Sequence, residues 1–346
     1  MNIIINRQVM RAELVGRAAC RKVEIMDISV LGCGRWGTFL AYYLSDLHNI
    51  TLWGRPDSRH IKELQETRKN EYLTLKDNIS VETDLSVAMK NEVVVISILT
   101  QEMGNLMEQL SAFDLNTHKF VLCMKGIESE TGKRISEIMI ERGVDPNNIA
   151  LWVGPGHVQN FLQGTPNCMI IHSYDIKLAK RLVREFSSPL IRFYVGNDII
   201  GGEIGSAGKN VLGIAAGMLD GIGMSCLKGA LMSRGTYEIA KLIQAMGGRV
   251  MTAYGLSHLG DFEATLFSPY SHNRMWGELY VKGEHYGKSA EGVGNVKGIM
   301  QLAHKHNISM PITNALYNII YNNADYKNEF RNLFLRDTKE EFVEFV

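Results

Sequence analysis

Ile28-Ser29-Val30-Leu31-Gly32-Cys33-Gly34-Arg35-Trp36-Gly37-Thr38 is the stretch that decides the fold of this chain. A short apolar run breaks into Gly-x-Gly-x-x-Gly, and the residues that follow, Thr38-Phe39-Leu40-Ala41-Tyr42-Tyr43-Leu44, read as an apolar helix. Each glycine has a job in such a turn. Gly32 allows the tight reversal, Gly34 lets a pyrophosphate approach the backbone, and Gly37 lets helix and strand pack closely. The helix then aims its N-terminal N–H groups and positive dipole end at the phosphates. The spacing predicts a dinucleotide cofactor and redox chemistry. Three spaced glycines are a weak signal where 33 of 346 residues are glycine, and an ordinary glycine-rich turn is the alternative. The setting strengthens the first reading, because a second strand, Ile50-Thr51-Leu52-Trp53, arrives where a βαβ unit requires it.

Outward from this stretch, strands alternate with helices as far as residue 195. Strands are expected at 27–31, 49–53, 92–98, 119–124, 149–153, 168–172 and 191–194, with helical patterns at Arg59–Thr67, Glu102–Phe113, Glu130–Glu141 and Ile176–Glu185. Val93-Val94-Val95-Ile96 and Phe120-Val121-Leu122-Cys123 are unbroken apolar runs, as strands buried on both faces should be. Beyond residue 198 long helical periods take over, at Val211–Leu219, Lys228–Met246, Arg249–Leu256 and Gly298–Lys305. The expected fold is α/β: a Rossmann-like, doubly wound, mostly parallel sheet followed by an all-helical C-terminal domain. We place a dinucleotide-binding domain at 26–197 and a helical substrate domain at 198–346, with a cleft between them.

Bulk properties exclude several classes. Lys plus Arg (37) balance Asp plus Glu (37), so no global field favours nucleic acid. Hydrophobic content of 45% and charge of 21% suit a globular protein, and no apolar run is long enough to insert stably in a membrane. Cys20, Cys33, Cys123, Cys168 and Cys226 are scattered and odd in number. They offer neither metal spacing nor a disulfide framework, which suits a reducing, cytoplasmic location and no metal. Residues 1–25 carry Arg7, Arg11, Arg17, Arg21 and Lys22 against Glu13 and Glu24. They read either as a basic leader or, as we favour, as an extension outside the fold, since Met26 directly precedes the first strand.

Polar residues at the ends of strands are candidates for chemistry. Arg55, after the second strand, is either a partner for a 2′-phosphate or a solvated loop arginine, and no acidic residue stands at the strand end itself. Lys125 follows the strand ending at Met124, where ligands of such sheets bind; a solvated turn lysine is the alternative. Gly154-Pro155-Gly156-His157 closes the next strand in the same way. Lys209 lies among small and apolar residues, Gly205-Ser206-Ala207-Gly208 before it and Asn210-Val211-Leu212-Gly213 after. Desolvation there lowers a lysine pKa and brings proton transfer near neutrality; a lysine snorkelling from a helix end is the alternative. Asp261 and Thr265 are four apart, hence on one helix face, and Ser271-His272-Asn273-Arg274 follows as a polar cluster suited to an anionic substrate.

Taken in order, these segments resemble the NAD(P)-dependent glycerol-3-phosphate dehydrogenases of bacterial type, from about residue 27 to 322. The resemblance rests on Gly32–Thr38, Lys125–Glu128 with Thr131-Gly132-Lys133, Gly154-Pro155, Gly208-Lys209-Asn210-Val211, Ser233-Arg234-Gly235, Gly255–Asp261, Ser271–Gly277 and Glu291-Gly292. It implies reversible reduction of dihydroxyacetone phosphate to sn-glycerol 3-phosphate by NADH or NADPH, feeding glycerophospholipid synthesis, in a homodimer. Lys209 matches the family's proton donor and acceptor, and Lys125 a residue that meets cofactor and substrate. Gly154, Gly156, Asn210, Asp261, Thr265, Ser271, His272 and Asn273 fall at substrate positions. Gly32, Gly34, Arg35, Trp36, Gly37, Arg55, Tyr72, Val158, His272, Ser289 and Glu291 fall at or near cofactor positions.

Two departures stand out. The family has Ser at Gly156 with an aromatic residue at His157, and Ser-Arg-Asn where this chain reads Ser271-His272-Asn273. That missing arginine would bind phosphate. His272, if protonated, could replace part of that grip and His157 could help, and a grip of this kind would fade as pH rises through the ordinary histidine range. The departures also leave two other readings: a same-fold dehydrogenase for a different phosphorylated or carboxylated ketone, or a catalytically inactive cofactor-binding regulator.

Overall fold

The structure is a computed structural model that describes residues 24–338 and 340–342. The extension expected over residues 1–25 lies outside them, apart from Glu24 and Ile25. The first half carries β1 (Asp27–Leu31), α1 (Arg35–Leu44), β2 (Asn49–Trp53), α2 (Arg59–Thr67), β3 (Ile79–Glu82), α3 (Leu85–Ala88), β4 (Val93–Ile96) and α4 (Met103–Leu110). It continues with β5 (Lys119–Leu122), α5 (Ile135–Glu141), β6 (Ile149–Val153), α6 (Val158–Leu162), β7 (Asn167–Ser173), α7 (Ile176–Phe186) and β8 (Ile191–Gly196). The eight strands form one sheet in the order β3-β2-β1-β4-β5-β6-β7-β8. Every pairing is parallel except β6 with β7. The order reverses at β1, between β2 and β4, which opens a crevice at the carboxyl end of β1, where the glycine loop begins.

Strand chemistry explains the sheet. Val93-Val94-Val95-Ile96 is wholly buried, with apolar cores on both faces of the sheet. One core holds Phe39, Trp152 and Phe186; the other holds Met103, Phe120 and Met139. The sequence reading missed β3, because Ile79-Ser80-Val81-Glu82 is a four-residue edge strand with one buried residue. The helix expected over Glu130–Glu141 starts only at Ile135, since Gly132 at φ +72 closes a turn in which its N–H donates to the Glu128 carbonyl.

The second half is helical: α8 (Ile199–Gly221), α9 (Lys228–Ala245), α10 (Leu259–Leu266), α11 (His272–Lys282), α12 (Glu291–Lys305), α13 (Pro311–Tyr321) and α14 (Tyr326–Phe334). Its core gathers Val211, Ile239, Phe262, Val296 and Leu316. The sequence periodicity placed the first of these helices at Val211, but α8 begins twelve residues earlier, where the Asp198 carboxylate caps Gly201 N–H. Gly201, Gly202, Gly205 and Gly208 look like a loop by propensity. They are helical because α8 lies hard against its neighbours: a Cβ at Gly202 would stand 2.8 Å from the side chains of His172 and Leu151. Lys209 therefore sits in the middle of a buried helix and not at its end.

Buried polar contacts fasten the halves together. The Lys125 carbonyl accepts from Asn210 Nδ2 (2.8 Å) and from Asn295 Nδ2 (3.0 Å), while Asn295 Oδ1 accepts from Ile127 N–H (3.1 Å). Buried Glu203 on α8 accepts from Arg134 Nη1 (2.6 Å), Ser136 N–H (2.8 Å) and the Ser136 hydroxyl (2.6 Å).

Candidate active site

The glycine loop fits a dinucleotide. Gly32 adopts φ +117, and a Cβ there would come within 2.1 Å of the Ser97 carbonyl oxygen. A Cβ on Gly37 would come within 1.9 Å of the Gly32 carbonyl oxygen, so only glycine lets α1 start this close to β1. Above Gly34 there is open space. Gly34 caps α1 with no side chain, and the first turn holds no acidic residue, so its N–H groups and helix dipole are free for an anion. This cradle matches the pyrophosphate of a dinucleotide.

Facing the crevice is a chain of charges. Lys209 is buried, and its Nζ donates to Thr265 Oγ1 (3.0 Å) and meets Asp261 Oδ1 at 3.3 Å. The Thr265 hydroxyl spends its proton on the Asp261 carbonyl (2.8 Å), so its lone pair must face the lysine. An ammonium has three N–H groups. Two of those on Lys209 are occupied and the third is left for an incoming oxygen. Asp261 also accepts from Lys125 Nζ at 2.5 Å, and Lys125 Nζ reaches the Gly154 carbonyl at 2.9 Å. Asp261 and Thr265 hold these positions because they lie one turn apart on α10.

The electrostatics follow from burial. Desolvation pulls the Lys209 ammonium down to about 8, with Asp261 opposing and Lys125 reinforcing the fall. Burial alone would raise the Asp261 carboxyl, but the two ammonium groups outweigh it and hold the carboxylate below its ordinary range. Burial raises Glu291, at the start of α12, to about 7 against the pull of Lys209 and Lys125. The site thus holds two lysines, a firmly ionised aspartate and a carboxyl that titrates near neutrality.

Asn210 and Asn273 are engaged with each other. Asn273 Nδ2 donates to Asn210 Oδ1 (2.9 Å), and Asn273 Oδ1 accepts from Gly292 N–H (2.9 Å). Ser271 caps α11 by accepting from Arg274 N–H at 3.3 Å. This network fixes the start of α11 beside Lys209's helix. The two helices touch closely enough that a Cβ on Gly277 would lie 2.1 Å from the Ile214 carbonyl oxygen.

The histidines depart from expectation. Burial, then the Arg35 and Lys288 charges, lower His272 to about 4, and burial with Lys209 lowers His157 to about 4. Both are neutral at pH 7, so neither supplies the positive charge foreseen from the sequence. His272 instead bonds Arg35 Nη1 through Nε2 at 3.0 Å. Gly156 has a local cause: at φ +152, a Cβ would fall 2.3 Å from the Phe161 ring, so a serine needs that ring to move. Trp36 packs on Phe39 and Phe161 with centroids 5.3 and 6.3 Å away, and Val158 is buried at the start of α6. Tyr72 lies under Arg35, while Ser289 is exposed. Arg55 is exposed and paired with Glu102 (3.2 Å) and Asp57 (3.7 Å), which offset its charge. Sequence reasoning missed Asn295, a buried asparagine on α12, and Tyr286 beside His272. An asparagine on the apolar side of a helical period was the available signal for the first.

Comparison with known proteins matches the geometry. The family model described as NAD-dependent glycerol-3-phosphate dehydrogenase N-terminus fits residues 27–179, and its C-terminus counterpart fits 198–331. A protein of Prosthecochloris aestuarii named glycerol-3-phosphate dehydrogenase (NAD(P)+) is 36% identical over 333 residues, covering 91% of this chain and 100% of that one. A like-named protein of Thermoanaerobacter is 35% identical, covering 91% and 99%. The crystal structure of glycerol-3-phosphate dehydrogenase from Coxiella burnetii superposes with a TM-score of 0.84 at 26% identity, covering 90% of this chain and 99% of that one. D-mandelate dehydrogenase, at 12% identity and a TM-score of 0.56, shares the fold alone.

Proposed function

This chain belongs to the NAD-dependent glycerol-3-phosphate dehydrogenase family, and from that premise we propose that Lys209 is the proton donor and acceptor of its reaction. The enzyme reduces dihydroxyacetone phosphate to sn-glycerol 3-phosphate, reversibly, with NADH or NADPH. The bound cofactor's chemistry is hydride transfer to and from the ketone carbon. As hydride arrives, negative charge grows on the ketone oxygen. The third N–H of Lys209 stabilises that oxygen and then protonates it. Asp261 keeps the ammonium charged and, with Thr265, aims it. Lys125, 2.5 Å from the same carboxylate, faces cofactor and substrate together. The observation that carries this reading is a buried lysine with two N–H groups engaged and one to spare.

The remaining roles follow from the same premise. Residues 26–197 take the dinucleotide on Gly32, Gly34, Arg35, Trp36, Gly37, Arg55, Tyr72 and Val158, joined by Ser289 and Glu291. Residues 198–346 present Asn210, Thr265, Ser271, His272 and Asn273 to the substrate, with Gly154 and Gly156 across the crevice. A free N–H on Asn210 Nδ2, beyond the one given to Lys125, supports its place in this set. The protein acts in the cytoplasm, feeds phospholipid synthesis, and pairs through its helical half. Sedimentation is expected to return a dimer, and a monomer at micromolar concentration refutes the pairing.

The decisive assay follows NADH and NADPH oxidation with dihydroxyacetone phosphate between about pH 6 and 9. Reduction needs the ammonium form of Lys209. The rate is therefore expected to be level below the Lys209 value of about 8 and to fall above it. The slope is about tenfold per pH unit, while the reverse oxidation rises over the same range. No turnover of this ketone with either cofactor overturns the substrate, and a profile level to about pH 10 overturns Lys209.

A further inference from the structure

Among the described residues, Arg35 is a cation with no ion-paired carboxylate, unlike Arg55. It is the first residue of α1, next to the open cradle at Gly34. Its guanidinium is nevertheless held from both halves of the molecule. Its Cζ lies 5.9 Å from the centre of the Tyr72 ring, and its Nη1 lies 3.0 Å from His272 Nε2 on α11. Tyr286 Oη closes on the other ring nitrogen of His272.

Donor counting fixes the arrangement. A guanidinium has donors only, so His272 Nε2 must accept. The ring proton is then on Nδ1 and donates to Tyr286 Oη. The protonated ring would have no lone pair for Arg35. Burial and the neighbouring Arg35 and Lys288 charges keep the ring neutral, with Glu71 pulling the other way. A neutral histidine steadies an arginine without cancelling its charge, which a carboxylate would do.

We propose that Arg35 supplies, from the glycine loop, the phosphate-gripping guanidinium that the family pattern places at residue 272, and that His272 and Tyr286 are positioning residues for it. This rests on the reading of the site as a dinucleotide-dependent phosphoketone reductase. The ligand chemistry is a phosphate oxyanion, from the dinucleotide or from the substrate. A charge-assisted pair of this kind changes affinity by about 10- to 100-fold.

The test measures the NADH dissociation constant by fluorescence without substrate, and separately the KM for dihydroxyacetone phosphate. Arg35→Ser, His272→Ala, their double variant, and Arg35→Ser combined with His272→Arg are compared, with thermal melts to confirm folding. Arg35→Ser is expected to weaken one constant by about tenfold or more, with KM rising more than kcat falls. A weakened NADH constant assigns the grip to the dinucleotide; an unmoved one with a raised ketone KM assigns it to the substrate phosphate. His272→Ala is expected to act in the same direction, and to do nothing further once Arg35 is serine. Moving the guanidinium back to residue 272 is expected to recover most of the loss. The proposal fails if Arg35→Ser leaves both constants within about twofold, or if His272→Ala costs as much without Arg35 as with it. Wild-type turnover of the ketone tests the underlying function independently, so the two failures are told apart.

Discussion

Lys209→Ala is expected to lower kcat for ketone reduction by about 10³- to 10⁴-fold, while the NADH dissociation constant moves far less. Two effects disappear together. The variant loses the acid that protonates the oxygen, and it loses the buried positive charge that stabilises that oxygen beforehand. About three decades correspond to about 4 kcal/mol of transition-state stabilisation. Lys209→Arg separates the two losses, because a guanidinium restores charge but gives up no proton near neutral pH. It is expected to remain at least about 100-fold impaired and to lose the fall in rate above the lysine's titration. A Lys209→Ala enzyme within about tenfold of wild type refutes the assignment.

The second large effect is on stability. Glu203 is 2% exposed and accepts three hydrogen bonds from Arg134 and Ser136. Glu203→Ala strands the Ser136 N–H and leaves the buried Arg134 guanidinium only the part-exposed Glu137 carboxylate at 3.1 Å. Leaving one buried charge without its partner costs about 3–5 kcal/mol, and the surviving Glu137 pair holds the loss to the lower end of that range. Urea denaturation should show a loss of that size, without a change in slope. Glu203→Gln keeps acceptor and donor atoms in place and should lose less. Replacing Arg134 and Glu203 together by Met and Leu should cost less than removing Glu203 alone, because the one charge left without its partner, Glu137, reaches water. A loss under about 1 kcal/mol for Glu203→Ala would mean that water already reaches the pair.

What the sequence made legible follows the strength of its local signals. The glycine loop and the unbroken Val93–Ile96 run carried the sheet, because apolar runs and obligatory glycines leave few alternatives. β3 was invisible, since an edge strand half open to water has little apolar pattern to show. The start of α8 was hidden for the opposite reason: close packing on Leu151 and His172 overrides the low helix propensity of four glycines. At the site, the shared helix face of Asp261 and Thr265 and the apolar surroundings of Lys209 were legible locally, while the roles assigned to them came from the resemblance. The role of His272 was not legible, because its protonation depends first on burial and then on Arg35, 237 residues away in the chain. Desolvation is a property of the folded surroundings, and no run of neighbours in sequence encodes it.

The Lys125 carbonyl that takes two asparagine amides has a mechanical consequence. A clamshell opening about the crevice would have to break the Asn210 and Asn295 bonds, the Ile127–Asn295 bond and the Lys125–Asp261 pair at once. At about 1 kcal/mol for each neutral bond and about 3 for the ionic one, these bonds alone place such a state about 6 kcal/mol uphill, before the Glu203 and Arg35–His272 contacts are counted. Fewer than about one molecule in 10⁴ would be gaping at any instant. Wholesale parting of the two halves is therefore not the resting state of the crevice, and a ligand that needs it must supply that free energy on binding.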